Sequence, residues 1–134
     1  MKIGIVSSRK MSAYGKEMIR RLVAWVVERG GEVVTIRTSG GNAEVVAATH
    51  QNGGKIRLIE PNERMNQELA RAVDRLIVVE GEEGSGTMLA AKEVLEMGKE
   101  VWAVPGRITE GGSFVPNFLI KSGAGVVTTL DDLT

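Results

Sequence analysis

The 134-residue sequence predicts an α/β fold, a three-layer sandwich built on a mostly parallel central sheet. Three observations predict it. Short β-branched apolar runs alternate with longer segments of helical period along the whole chain, the pattern of a sheet whose crossovers are helices. The run "RLIVVE" (Arg75 to Glu80) is fully apolar from Leu76 to Val79, as a strand covered on both faces must be. The connections between segments are short, as they are between the strands and helices of such a sandwich.

The elements follow in order. "KIGIV" (Lys2 to Val6) reads as the first strand. Met18, Leu22, Trp25 and Val26 recur at helical spacing and give a helix from about Tyr14 to Arg29, ended by Gly30-Gly31. "EVVTIR" is the second strand, and Asn42 is the expected N-cap of a helix over Ala43 to Gln51, closed by Gly53-Gly54. "KIRLI" is the third strand, with a helix from Asn62 to Val73 behind it. "RLIVVE" is the fourth, followed by a helix from Ser85 to Met97 that Gly98 stops. "EVWAV" is the fifth, closed by Pro105-Gly106. A short helix near Pro116 to Lys121, a small strand "GVVTT" and the tail "LDDLT" complete the chain. Trp25 and Trp102 read as core, and Asp131 and Asp132 as a solvated tail.

Composition narrows the function. Hydrophobic residues make up 43% and charged residues 25%, the balance of a folded domain. Seventeen basic residues offset seventeen acidic ones, so no global field draws the chain to nucleic acid and any phosphate site has to be local. There is no cysteine, which excludes disulfides and thiolate sites and fits a reducing compartment. His50 is the only histidine and reads as a helix-face or capping residue; with no second histidine and no cysteine, no metal site is expected. No apolar run approaches the roughly 20 residues that cross a bilayer, and "MKIGIVSSRK" turns polar too early for a signal peptide. The expectation is one cytoplasmic domain over residues 1–134, with no membrane contact and no resident cofactor.

In parallel sheets of this kind, ligands gather at the carboxyl ends of the strands, where strand order reverses. The loops expected there are "SSRKMS" after the first strand, "TSGGN" after the second, "GEEGSGT" after the fourth and "PGR" after the fifth. Glycines let backbone N–H groups approach an anion, helix N-termini add partial positive charge, and Arg9 can grip a phosphate as a fork. Taken singly, each loop has a plainer reading: "SGG" as a tight turn, Ser85 as an N-cap, Arg9-Lys10 as a solvated loop. Neither GxxxxGK[ST] nor a GxGxxG after the first strand is present. Met11 and Met65 lie in polar loops as pocket or gap-filling candidates, and no Ser/His/Asp order supports a nucleophile.

The segments "IVSSRKMSAYG", "TSGGNAEVVAATH", "RMNQELARAVDRLIVVEGEEGSGTMLAAKEVLEMGKEVWAVPG" and "FLIKSGAGVVTTLDDL" together resemble the DNA-processing protein A (DprA, or Smf) family. That family belongs to a wider Rossmann-like group that includes the LOG proteins. The resemblance implies a Rossmann-like domain that binds single-stranded DNA, usually as a homodimer, and helps to load a RecA-type recombinase. By the family's pattern, Ser8, Arg9 and Ser12 stand in its first loop and Ser39 and Gly40 in its second. Arg64 and Asn66 match its Arg-x-Asn, and Ser85 and Gly86 its serine-glycine after the fourth strand. The chain departs at Asn42 to Val46, where the family has Ala-Arg-Gly-Ile-Asp, and at Gln67, where it has arginine. The N-terminal helical and C-terminal winged-helix extensions of many members are not expected here.

The candidate set for phosphate or nucleic acid is therefore Ser8, Arg9, Ser12, Ser39, Gly40, Gly41, Asn42, Arg64, Asn66, Gly84, Ser85, Gly86 and Thr87. Single-stranded DNA is the expected ligand, with a small nucleotide as the alternative, in which case Glu82 and Glu83 handle the sugar or point to solvent. LOG-type cleavage of a nucleoside monophosphate is disfavoured, because the resemblance places Ala90 where that motif carries its glutamate. No catalytic residue is assigned.

Overall fold

The computed structural model describes all of residues 1–134. Six strands form one sheet: β1 (Lys2–Val6), β2 (Glu32–Ile36), β3 (Lys55–Ile59), β4 (Arg75–Val78), β5 (Glu100–Ala103) and β6 (Gly125–Val126). Their spatial order is β3-β2-β1-β4-β5-β6 and every pairing is parallel, so the expected α/β sandwich is present and its sheet is parallel throughout. The helices are α1 (Ala13–Glu28), α2 (Gly41–Gln51), α3 (Met65–Ala72), α4 (Gly86–Glu96) and α5 (Phe114–Lys121).

Strand alternation divides the core between the two faces. Leu76 and Val78 of β4 pack with Val34, Ile36, Leu69, Val94 and Leu119, under α3, α4 and α5. Ile77 and the following Val79 belong to the other cluster, with Ile3, Ile5, Leu22, Val26 and Val45, under α1 and α2. The α1 face is amphipathic at the expected spacing, and Gly15, Ile19, Leu22, Val23, Trp25 and Val26 are its buried residues. No helix is long and apolar enough to cross a membrane.

Three local expectations are corrected. Asn42 does not cap α2; Gly40 does, at φ 79°, and Asn42 lies one residue inside the helix. Trp102 is half-buried, with its indole N–H donating to Glu100 Oε1 at 2.9 Å and its ring lying against Gly125. Asp132 does not trail in solvent. It accepts the N–H groups of Thr128 and Thr129 and completes a capping box with Thr129, and these bonds, that from Thr129 first, hold its carboxyl below the usual range.

Candidate phosphate-binding site

Strand order reverses between β1 and β4, and the carboxyl ends of these strands frame a pocket of about 260 Å³. Its base is apolar: Val6, Ile36 and Ala90 line it and are almost wholly buried. Its walls are polar. Ser7, Ser8 and Arg9 come from the loop after β1, and Thr38 from the loop after β2. Asn42 lies in the first turn of α2, Met65 and Asn66 open α3, and Ser85, Gly86 and Thr87 open α4. Three helix N-termini thus border one small cavity. The first turn of each carries N–H groups without helical acceptors, and the aligned peptide dipoles add partial positive charge. Arg9 is the one charged residue on the wall, and no carboxylate lines it.

Side-chain bonds fix this geometry. Asn42 accepts the Ser7 N–H on Oδ1 at 2.9 Å and donates to Thr38 Oγ1 at 2.9 Å, so one amide ties the first two loops together. Ser85 caps α4 by accepting the Thr87 N–H, and its Oγ lies 3.0 Å from Thr87 Oγ1. Of those two hydroxyl hydrogens, one is used between the pair and the other is left for a ligand.

Seven candidate residues therefore line the pocket: Ser8, Arg9, Asn42, Asn66, Ser85, Gly86 and Thr87. Ser12, Ser39, Gly40, Gly41, Arg64 and Gly84 do not. The glycines of "SGG" serve packing between loops. A Cβ on Gly40 would lie 2.0 Å from the Arg9 carbonyl oxygen, and one on Gly41 would lie 2.4 Å from Ser7 Cβ. Arg64 is exposed beside α3, outside the wall. Ser7 and Thr38 were not among the candidates. Ser7 had one signal in the sequence, a hydroxyl at the carboxyl end of a buried strand.

The loop after β5 does not join this pocket. With Ser12, Ala13, Tyr14, Glu80, Glu110 and Ser113, its residues Pro105, Gly106 and Arg107 line a broader cleft of about 650 Å³ beside the α1 N-terminus. Glu80 is the strut between the two sites. Buried at 7% exposure, it accepts the Ser12 N–H at 2.9 Å and the Ser12 hydroxyl at 2.6 Å. The Ser12 hydroxyl in turn accepts the Gly15 N–H and caps α1. Gly15 is required there, since its Cβ would lie 2.0 Å from Glu80 Oε1. Tyr14 donates its hydroxyl to the Pro105 carbonyl at 2.9 Å, and burial first, then the Glu80 and Glu17 carboxylates, push its phenol above the ordinary range. Glu82 and Glu83 are exposed and line neither cavity.

Known proteins share this fold. The model of the family described as DNA recombination-mediator protein A matches residues 61–134, more than half of the chain. The chain belongs to that family. The DNA processing protein DprA of Bacillus subtilis is 26% identical over 170 aligned residues, which cover 98% of this chain and 57% of that protein. Among solved structures, DprA of Streptococcus pneumoniae superposes with a TM-score of 0.87 at 22% identity, over 98% of this chain and 60% of that one. DNA processing protein A of Helicobacter pylori, solved in work on its single-stranded DNA binding mode, gives 0.86 at 16% identity, over 99% and 78%. The chain thus spans little more than half the length of the Bacillus relative. At these identities the superpositions establish the fold; the family model establishes membership.

Proposed function

We propose that this chain is a phosphate-binding domain that holds single-stranded DNA by its backbone, in the service of DNA processing or recombination. The observation that carries the reading is the pocket between β1 and β4, bordered by three helix N-termini, with Arg9 on its wall and no carboxylate. Family membership supports it, as does the single-stranded DNA binding described for the Helicobacter pylori protein. Zero net charge makes the grip local, so the salt dependence is that of a few phosphate contacts.

A catalytic reading has less support. The resemblance sets Ala90 at the glutamate of the LOG motif, and Ala90 lines the pocket with a methyl group that offers no carboxylate. A homodimer and a RecA-type recombinase are the partners that this reading carries with it, and sedimentation equilibrium with and without a recombinase addresses both. The direct test is fluorescence anisotropy of labelled oligo-dT and a matched duplex over a salt series. Salt-dependent binding that favours the single strand supports the proposal. No binding at low salt overturns it.

A further inference from the structure

Within that reading, on which this inference rests, one atom of the pocket is unexplained. Ser7 is 4% exposed, lines the pocket, and has its backbone N–H fixed by Asn42, yet its Oγ has no hydrogen-bond partner. Only the Trp25 indole N–H shares this condition, and it lies in the core beside Arg29, which stacks over its ring at 4.3 Å. A buried hydroxyl left unpaired is a standing cost, and a ligand that accepts its hydrogen bond removes it.

The shape of the pocket limits what that ligand can be. Val6, Ile36 and Ala90 are almost wholly buried and give it an apolar floor. At about 260 Å³ it lies below the roughly 300–1,000 Å³ of pockets that take drug-sized molecules. A phosphate with a sugar at its rim fits such a space.

The donors point the same way. Ser7, the Ser85–Thr87 pair with its one free hydroxyl hydrogen, Asn66, the N-terminus of α4 and Arg9 all line the pocket. An internal phosphodiester has two free oxygens and one charge. A terminal phosphate has three free oxygens and about −1.5 to −2 charges at neutral pH, and so uses more of these donors.

We infer that the pocket takes a phosphate monoester, with Ser7 as a ligand to it. The chemistry is common to the phosphorylated end of a strand and to a free mononucleotide, and competition separates the two sources. The pH dependence is set by the ligand, whose second ionisation lies near about 6; Arg9 is the only charged residue on the wall.

The experiment compares three forms of one labelled oligo-dT: 5′-phosphorylated, 3′-phosphorylated, and with hydroxyls at both ends. Anisotropy is measured at constant ionic strength from about pH 7.5 to about pH 5, the range over which the monoester loses its second charge. The inference predicts that one phosphorylated strand binds about tenfold tighter than the unphosphorylated one, as expected of one or two added charge-assisted hydrogen bonds. That advantage fades as the pH falls through about 6, and Ser7→Ala reduces it. Displacement by dTMP at concentrations comparable to the strand assigns the site to free nucleotides; displacement only by phosphorylated strands assigns it to strand ends. Equal binding of all three strands overturns the inference and leaves single-stranded DNA binding standing. An end preference that Ser7→Ala does not alter overturns the role of Ser7. No binding by any strand and none by dTMP overturns both this inference and the proposed function.

Discussion

Two cavities share the loop between β1 and α1, and their walls have opposite chemistry. The pit between β1 and β4 carries Arg9, hydroxyls and three helix N-termini, without a carboxylate. The cleft on the far side of the Ser8–Ser12 loop carries Glu80 and Glu110 with Arg107 and Tyr14. The same short loop serves both, with Ser8 and Arg9 facing one cavity and Ser12 the other. What separates them is a division of labour among hydrogen bonds. Glu80 spends its oxygens on Ser12 and holds the acidic side in place, and Asn42 spends its amide on Ser7 and Thr38 and leaves the anion side open. A sheet edge rich in glycine and hydroxyls is therefore not one anion site. It is anion-accepting only where no carboxylate reaches the wall.

The largest effect in breaking this contrast is expected from Gly40→Ala. Gly40 has φ 79° and ψ −129°, a region open essentially to glycine, and its Cβ would meet the Arg9 carbonyl oxygen. Strain and overpacking together cost about 3 kcal/mol, and the displaced loop carries Arg9 with it. Urea unfolding should show the lost stability, and oligo-dT anisotropy the lost affinity.

Glu80→Ala acts on the other side of the loop. It leaves the Ser12 N–H without its acceptor and opens space against Gly15, at a cost of about 2 kcal/mol in urea unfolding. Because Glu80 does not line the pit, affinity for the oligonucleotide should fall less than in Gly40→Ala.

Two arginines sharpen the comparison directly. Arg9→Ala should weaken oligo-dT binding about tenfold and lower the salt slope by about 0.7, the loss of one phosphate contact to a single strand. Arg107→Ala, in the acidic cleft, should change affinity by less than about twofold, since its charge is offset by nearby carboxylates and screened by salt. Comparable losses in both variants would erase the distinction between the two cavities.

The smallest effect is spectroscopic. Tyr14 is the only tyrosine, so absorbance near the phenolate band follows it alone. Its titration should lie above the ordinary value of about 10, and Glu80→Gln should bring it part of the way back. The sign for stability follows from the raised value. The folded state favours the protonated phenol, so this contribution is complete below the pH at which the unfolded tyrosine ionises and is lost as the pH rises through the folded value.

Much of the fold was legible because it follows from local patterns. The run Leu76–Val79 is apolar without interruption because β4 lies at the centre of the sheet with helices on both faces. The Met18–Val26 spacing gave α1 for the same reason, since burial on one helical face leaves a 3.6-residue period. The site was legible only in part. Ser85 could be read because a cap acts within two residues along the chain. Glu80 could not, because its partner Ser12 lies 68 residues away and its inward turn depends on Gly15 having no side chain. Gly40 and Gly41 were marked as phosphate-loop glycines, and their requirement comes from the close approach of another loop. Ser7 lay beside Ser8 in the sequence, and only the packing of Asn42 shows which of the two is the buried one.

The central claim is that phosphate enters the pit and not the acidic cleft. Amide chemical-shift mapping of the labelled protein with oligo-dT tests it most directly. The account predicts that the signals of Ser7, Arg9, Asn66, Gly86 and Thr87 move together on one saturating curve, while those of Tyr14, Glu110 and Ser113 stay in place. Movement confined to the second group, or no movement in the first at saturating oligonucleotide, would contradict it.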